Sequence, residues 1–329
     1  MRPARLTQTT MPRPTMPIFR RTALASLPLL LAACAHTSIP QLDAVKEKLA
    51  KPVPPAVAQE TMAPIQERED TLLAVTDGNV LISFNGGTPG EVASRAPLKG
   101  LKPGELLLAI DYRASLGQLY GLSNAGRVLR IDPATAIATP LGTAIRLPEG
   151  DAFSLDVDPA TDQLRLVSDQ GANLRLHPAS GAVIDGDPKT AGVQPDAPLA
   201  YQPGDLLAGN RPRIVAAASV QTNRVSKSAT HYVIDAATGY LALLGSPEGA
   251  REAVSADSGR LQSIGPLGID HFDRAVLDIT AAGRTAYLVT TRIGSPESRL
   301  YELNLASGQA RLIGAIAAGQ IVRGMAIAP

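Results

Sequence analysis

The sequence predicts an all-β protein, and three features of the 329-residue chain support this class. Apolar residues make up 45% of the chain, which is enough for a buried core, whereas aromatic residues make up only 3%. Glycine and proline are abundant, at 29 and 27 residues, so short strands and turns are favoured over long helices. Residues 127–131 and 173–176 show the polar and apolar alternation of a strand with one buried face.

An export signal is predicted at the N-terminus. Residues 1–33 carry five arginines and no acidic residue, and they end in the apolar segment 23–33. That segment is much shorter than the roughly 20 apolar residues of a membrane-spanning helix. It runs into Leu-Ala-Ala-Cys at residues 31–34, which looks like a bacterial lipobox, so we predict cleavage before Cys34 and acylation of its thiol. The alternative is a buried structural cysteine that follows an ordinary signal peptide.

This signal predicts an exported, membrane-anchored lipoprotein. Ala35, rather than an aspartate, follows the cysteine, which is compatible with sorting to the outer membrane with the protein facing the periplasm. The arginine pair at residues 20–21 partly resembles a twin-arginine signal, so the export route stays open between that pathway and general secretion. Further methionines at residues 11 and 16 leave the true start open as well.

The composition excludes several classes of site. A single cysteine rules out a disulfide framework, a cysteine zinc site and an iron–sulfur cluster. Four scattered histidines disfavour a histidine-rich catalytic metal centre. Removal of residues 1–33 takes five of the 31 basic residues and leaves 26 against 30 acidic ones, a formal charge of about −4. This balance argues against a nucleic-acid partner.

The mature chain is predicted to consist of a tether and one folded domain. Residues 34–70 are rich in alanine, proline, glutamine and glutamate, and the proline-rich segment 51–56 is stiff and extended. We interpret residues 34–70 as a tether that gives reach from the membrane surface. Residues 71–329 form the domain.

Five similar hairpins within that domain predict its architecture. Each combines two short strands and a turn, and they span residues 71–84, 118–132, 163–177, 230–244 and 286–304. More apolar strands precede four of them, at residues 106–111, 153–157, 213–220 and 275–279. A further strand that ends in an aliphatic residue and glycine often follows, as at residues 141–142, 264–265 and 313–314. Four strands per unit, at spacings of roughly 45 to 70 residues, are typical of β-propeller blades.

The two ends of the domain are predicted to share one blade. The first hairpin, at residue 71, has no preceding apolar strand, whereas residues 321–327 resemble an inner strand without a following hairpin. Pairing of the C-terminal strand with the N-terminal hairpin would close the ring and leave no exposed edge. The count gives five blades, and the extra length between residues 185 and 250 leaves room for a sixth.

Turns with aspartate or asparagine at the first position connect many of these strands. Examples are Asp-Pro-Ala-Thr at residues 132–135 and 158–161, and Asp-Ala-Ala-Thr-Gly at 235–239. An aspartate at this position accepts backbone N–H groups from the turn, and proline presets the next φ angle. Calcium ligation is the alternative role, but the dense, regular carboxylates of a calcium loop are missing from these turns.

Four motifs carry a family resemblance. They are Gly-Gln-Leu-Tyr-Gly-Leu at residues 117–122, Arg-Ile-Asp-Pro-Ala-Thr at 130–135, Arg-Leu-Val-Ser-Asp-Gln-Gly-Ala-Asn-Leu-Arg-Leu at 165–176 and Ser-Ile-Gly-Pro-Leu-Gly-Ile-Asp at 263–270. With them, the domain resembles an uncharacterised family of secreted bacterial proteins, domain of unknown function four-three-nine-four. The family favours phenylalanine in the inner strands, where this chain has Leu108, Leu155 and Leu277. The resemblance implies an exported, propeller-like domain and brings no catalytic residues.

The sequence contains no recognisable catalytic motif. No Gly-x-Ser-x-Gly elbow is present, and the histidines at positions 36, 177, 231 and 271 form no triad pattern. The glycine-rich residues 85–90 lack the Lys-Ser/Thr pair of a phosphate loop and fit a hairpin turn better.

The strongest candidate site is a set of polar residues on strands predicted to line the central channel. The set comprises Asp111, Asp156, Asp158, Asp278 and Arg323. Carboxylates that converge on the axis repel one another unless a cation, a base such as Arg323 or a proton compensates them, and together they could hold calcium. The alternative is that they cap strand ends or bind backbone amides. We expect any ligand site to lie at the channel mouth and to involve Asp156 and Asp278.

A second candidate is a polar hairpin in the third repeat. Arg165, Asp169, Asn173 and Arg175 place more polar side chains there than the other hairpins have. Pairing on the protein surface explains this cluster equally well.

Two functions fit these observations. The favoured one is a non-catalytic binding or scaffolding propeller, attached to the membrane through the lipid on Cys34, that binds an unidentified protein or small molecule and needs no cofactor. The alternative is a calcium-dependent hydrolase, similar to lactonases, in which channel carboxylates hold the metal that polarises a carbonyl group. A stoichiometric divalent ion in the purified protein would favour the alternative.

Substitution Cys34→Ser tests the anchor. The variant lacks the thiol that takes the lipid, so we expect it to leave the membrane fraction for the soluble fraction when cells are fractionated. A variant that stays with the membranes and keeps the mass of the processed protein would contradict acylation at this position.

Overall fold

Twenty-one strands form in the part of the chain that the computed structural model describes, residues 61–63, 68–295, 297–317 and 319–329. In chain order the strands are β1 (Thr61–Met62), β2 (Thr71–Thr76), β3 (Val80–Asn85), β4 (Val92–Pro97), β5 (Leu107–Arg113), β6 (Gln118–Ser123), β7 (Val128–Asp132), β8 (Ile137–Leu141), β9 (Phe153–Val157), β10 (Leu164–Ser168), β11 (Asn173–Leu176), β12 (Ala200–Tyr201), β13 (Ile214–Val220), β14 (Thr230–Asp235), β15 (Tyr240–Leu244), β16 (Arg260–Pro266), β17 (Arg274–Ile279), β18 (Ala286–Thr291), β19 (Ser298–Leu303), β20 (Ala310–Ala315) and β21 (Val322–Ile327). A single turn of 3-10 helix, Ala256–Ser258, precedes β16. Within these ranges, no helix has the length and apolar character to span a membrane.

The strands are arranged as five blades around a central axis. Blade 1 is β21-β2-β3-β4, blade 2 is β5 to β8 and blade 3 is β9 to β11. Blade 4 is β13 to β16 and blade 5 is β17 to β20, with β12 and β1 added to their respective outer edges. The inner strands β21, β5, β9, β13 and β17 contact one another in that order, and β17 also contacts β21. The ring is closed, which confirms the predicted five-bladed β-propeller.

The apolar core is divided among the five seams between neighbouring blades. At the seam between blades 5 and 1, Phe84 and Ile82 pack with Tyr287 and Leu300, and all four are essentially inaccessible to solvent. Equivalent clusters fill the seams between blades 1 and 2, 2 and 3, and 4 and 5. The cluster at the seam between blades 3 and 4 takes only Val167 from blade 3. Each large buried side chain contributes roughly 1.5–3 kcal/mol, so the blades are held mainly through these seams.

The C-terminal strand completes the N-terminal blade, as predicted. Strand β21 pairs antiparallel with β2, from Leu72 opposite Ile327 to Val75 opposite Gly324. Gly324 also lets the next inner strand come close, because a Cβ atom there would lie 2.6 Å from the backbone nitrogen of Ile110. The same residue therefore serves the closure of blade 1 and its contact with blade 2.

The aspartate turns have the local bonds that their sequence predicts. Asp132 Oδ1 accepts the backbone N–H of Ala134 at 2.9 Å, and the Thr135 hydroxyl donates to Asp132 Oδ2 at 2.8 Å. Asp158 repeats both bonds with Ala160 and Thr161, at 2.8 Å each. These carboxylates stabilise turns, and their oxygens are largely used in doing so.

Blade 3 differs from the expected four strands. Beyond β11, only an isolated bridge between Leu176 and Val183 continues the sheet, because the following residues, 185–198, are rich in proline, glycine and aspartate. The extra length in this region forms no sixth blade. Its strand β12 instead pairs in parallel with β16, and the Tyr201 hydroxyl donates to Asp235 of blade 4 at 2.9 Å.

Two segments of the predicted tether contact the domain. Strand β1 pairs in parallel with β20 of blade 5. Arg68 forms an ion pair with Glu302 at 2.8 Å, and the Tyr287 hydroxyl donates to Asp70 at the same distance. The chain therefore reaches the propeller along the outer edge of blade 5. The predicted signal peptide, Cys34 and the rest of the tether lie outside the described residues.

Deletion of residues 320–329 tests the closure. It removes β21 with the buried side chains of Val322 and Met325 and exposes the edge of β2, so we expect a loss of several kcal/mol and a much lower melting temperature. Deletion of Pro329 alone is the control, since this exposed residue follows the strand. A melting temperature of the longer deletion within a degree or two of the intact protein would refute the closure.

Candidate functional site

Three predicted channel aspartates bridge neighbouring blades. They lie near the ends of inner strands β5, β9 and β17, and each accepts a backbone N–H of the next inner strand in the ring. The bonds are Val157 N to Asp111 Oδ2 at 2.6 Å, Ser219 N to Asp156 Oδ1 at 2.9 Å, and Ile327 N to Asp278 Oδ2 at 2.7 Å. Three of the five seams thus carry a carboxylate-to-amide bond beside the axis, as the amide-binding alternative expected.

The three carboxylates also influence one another electrostatically. Burial raises the pKa of Asp111 well above its ordinary range, and the charges of Asp278 and Asp156 raise it further. Burial raises the pKa of Asp156 to about 6, against the opposing hydrogen bond from Ser219. The three side chains therefore share one region of the axis, and they favour partial protonation near neutral pH.

The pKa of Asp278 is raised as well. Its side chain keeps partial exposure, yet the inner strands surround it, and this burial raises its pKa to about 7. The N–H groups of Ile327 and Ile279 act in the opposite direction, and the charge of Asp156 adds to the rise. The pKa of Asp278 is raised because protein atoms crowd the carboxyl group and displace water, although part of its surface is still accessible.

Asp158 and Arg323, the other two predicted channel residues, do not join this group. Asp158 turns to its own loop, as described above, although its charge still acts on Asp156. Arg323 lies four residues before Ile327 on β21, about 13 Å away along the strand. The structure therefore places Arg323 at the opposite end of the inner strands, where it forms no ion pair with the carboxylates.

The second predicted cluster is buried between blades 3 and 4 rather than on the surface. Arg165 is only 3% exposed, donates from Nη1 to Asn173 at 2.7 Å and pairs through Nη2 with Asp257 at 2.7 Å. Arg175 binds both carboxylate oxygens of Asp196, at 2.8 and 2.9 Å. This network lies in the seam between blades 3 and 4, where the apolar cluster contains only one residue of blade 3.

Sequence reasoning found three of the five side chains of this network. It identified Arg165, Asn173 and Arg175, but the partner carboxylates of Asp196 and Asp257 come from distant segments with no local signal. Asp169, the fourth predicted member, lies elsewhere. It accepts the backbone N–H groups of Asp151 and Ala152 at 2.9 and 3.3 Å and so fixes the entry to β9.

His231 is a buried neighbour of the same network. Its Nε2 lies 3.7 Å from Asp158 Oδ2, and its Nδ1 has no hydrogen-bond partner in the described part of the chain. Burial and the charge of Arg165 lower the pKa of His231 to about 4. The imidazole is therefore neutral at physiological pH, which suits a seam that already contains two arginines.

No set of three or more His, Cys, Asp or Glu side chains in the described ranges is arranged to hold a metal ion. The channel carboxylates give one oxygen each to a neighbouring strand, and only Asp156 Oδ2 is both buried and without a hydrogen-bond partner. The calcium expectation therefore stays a prediction without a ligand set in this part of the protein.

A cavity that was not predicted from the sequence lies beside blade 5. It has a volume of about 400 Å³ and opens between the segment that precedes β17 and the loop between β18 and β19. Its lining includes His271, Phe272, Arg292, Glu297, Arg299 and Tyr301. Only folding brings these two segments together, and neither has a recognisable motif.

The polar groups of this cavity are held by local bonds. Asp273 accepts the backbone N–H of Ile293 at 2.7 Å and lies 3.4 Å from His271 Nε2, so it joins the two lining segments. The bond from Ile293 is the main reason that the pKa of Asp273 lies below its ordinary value. Arg299 pairs with Glu297 at 3.1 Å. The cavity thus combines fixed charges of both signs with an aromatic floor.

Comparison with known families identifies the class of the protein. The family described as Domain of unknown function (DUF4394) matches residues 80–326, which is most of the propeller. The chain belongs to this family, as its motifs predicted. The family's description assigns no activity, and no curated protein matches the chain.

Solved structures show only remote similarity. A chain of the nidogen/laminin complex has 10% identity and a TM-score of 0.44, and the match covers 79% of this chain and 98% of that one. Hydrazine synthase of Kuenenia stuttgartiensis has 14% identity and a TM-score of 0.36, over 67% and 53% of the two chains. The dihydro-heme d1 dehydrogenase NirN has 14% identity and a TM-score of 0.34, over 86% and 55%. Similarities at this level carry no functional argument.

Substitution Asp278→Asn tests the shifted titration. Because the folded-state pKa near 7 exceeds the ordinary value near 4, the unfolded chain loses this proton first as the pH rises. The free energy of unfolding of the wild type, relative to the variant, should therefore fall by about 4 kcal/mol between pH 4 and pH 8. Urea denaturation at several pH values measures it.

Asp132→Asn is the matched control. This exposed turn carboxylate has a pKa below its ordinary value, so the wild type should gain stability relative to that variant as the pH rises through the acidic range. A constant difference between wild type and Asp278→Asn across the whole pH range would contradict the raised pKa.

Proposed function

We propose that this protein is a membrane-anchored, non-catalytic propeller that binds a small polar ligand in the cavity beside blade 5. The observation that carries the proposal is the cavity itself, whose 400 Å³ lie within the range of small-molecule sites. Its lining is mostly polar and includes charged side chains of both signs, among them Arg292, Glu297 and Arg299, which favours a polar ligand.

The chemistry of the lining suggests a small polar ligand. Phe272 and Tyr301 are buried and supply an aromatic floor, whereas Arg292 is exposed at the rim and forms no ion pair in the described part of the chain. His271 and Glu297 add an imidazole and a carboxylate. A small hydroxyl-bearing molecule with one anionic group would pair with Arg292 through that group and form hydrogen bonds with the other polar side chains.

The use of the channel carboxylates also supports a binding role. Asp111, Asp156 and Asp278 bond the inner strands to one another, so they contribute to closure of the ring. A calcium-dependent hydrolase would have to recruit these same carboxylates for the metal. Their blade-to-blade bonds would then be lost, at a cost to the stability of the ring.

The proposed anchor is the lipid on Cys34, in the outer membrane with the domain facing the periplasm. The lipobox at residues 31–34 supports it. Residues 35–60 can span at most about 90 Å when fully extended. The cavity belongs to the same blade that receives the chain from the anchor.

Native mass spectrometry of the lipidated protein, extracted from its own membranes, tests the binding role. We expect a small-molecule adduct on the wild type that is lost in Arg292→Glu, because the substitution reverses the charge at the cavity rim. Arg130→Glu is the control, since Arg130 is an exposed arginine of blade 2 away from the cavity. A wild type without an adduct, or an adduct retained by Arg292→Glu, would overturn the proposal.

A further inference from the structure

The inner strands enclose a narrow mouth at the ends where they begin. Its walls come from all five blades, with Leu108, Phe153, Val215, Ala275, Arg274 and Arg323 among the lining residues. The space inside is about 20 Å³, enough for one water-sized group. Five of the eight lining residues are apolar, and two are the arginines Arg274 and Arg323.

These two arginines lack the partners that buried or crowded cations usually have. In the described part of the chain, neither Arg274 nor Arg323 forms an ion pair, and Arg323 Nε is buried without a hydrogen-bond partner. Burial and the charge of Arg274 lower the pKa of Arg323, which Asp77 only partly opposes. A buried donor without an acceptor and two adjacent like charges both destabilise this end of the ring.

The remaining carboxylates do not neutralise the pair. Asp151 lies at the rim, but its side chain is exposed and forms no ion pair with either arginine. The channel aspartates lie four residues further along the same strands, as from Arg274 to Asp278, or about 13 Å. The central axis is therefore basic where the inner strands begin and acidic where they end. An anion that enters the basic end is attracted there and is repelled from passing through.

We propose that this mouth binds one small oxyanion, a carboxylate or phosphate group, with one oxygen inserted between the guanidinium groups of Arg274 and Arg323 and the rest of the group at the opening. The planar fork of each guanidinium matches the oxygens of such a group, and the apolar wall excludes larger polar substituents. The oxyanion would supply the missing acceptor for Arg323 Nε and offset the repulsion between the arginines. This site extends the proposed binding role to a second position and does not depend on the cavity beside blade 5.

Thermal unfolding of the full-length Cys34→Ser variant, with sodium phosphate or sodium acetate as the probe at constant ionic strength, tests the site. We expect a saturable rise in melting temperature with at least one of the two anions. Phosphate alone would indicate a phosphate site and acetate alone a carboxylate site. Arg323→Met and Arg274→Met in the same background should weaken the apparent affinity about tenfold or more.

The melting temperature without added anion tests the same site independently of anion binding. Arg323→Met removes the unpaired buried donor and the repulsion while keeping a long side chain, so it should melt higher than its parent at low anion concentration. That advantage should vanish when phosphate or acetate saturates the parent.

A control variant separates this site from general charge effects. Arg130→Met removes an exposed arginine away from the mouth and should leave the response to both anions unchanged. An equal response of the parent and both mouth variants, or no response of the parent to either anion, would overturn the proposal and leave the binding role of the cavity to its own test.

Discussion

The antiparallel pairing of β21 with β2 is the constraint on which the rest of the structure depends. It joins the two ends of the domain in one blade and brings the last inner strand, β21, between β17 and β5. Without it, blade 1 has no strand at the axis, and the seams on both of its sides lose one wall. Closure of this kind also removes the open sheet edges that would otherwise pair with other chains.

Once the ring is closed, its inner strands run side by side in one direction, and this sets the electrostatics of the axis. Residues at equivalent positions meet, so the aspartates collect near the strand ends and two arginines near the strand beginnings. The aspartates each find an amide on the next strand, whereas the arginines face a small space without an acceptor. The aspartates therefore stabilise the ring, whereas the arginines have donor groups that a ligand can use.

The seam between blades 3 and 4 follows a different principle from the others. Blade 3 has three strands, and the segment after β11 continues its sheet only through the bridge between Leu176 and Val183. Arg165 and Arg175 reach across to Asp257 and Asp196, so charge-assisted bonds replace part of the apolar packing. Such a network holds two blades in one relative position, because its bonds depend on direction more than apolar contacts do.

The sequence by itself determined the strands, the hairpins, the aspartate turns and the closure. Alternation with a period of two and turn residues such as Asp132 and Pro133 act over a few neighbouring positions, so they can be read locally. It also indicated which inner strands carry carboxylates. Only the tertiary structure decided that Asp278 binds an amide of β21, that Arg165 meets Asp257, 92 residues away, and that two distant loops enclose a cavity beside blade 5. These contacts cross seams between blades, and their geometry depends on the twist of each sheet and on how the blades pack, which no local pattern in the chain specifies.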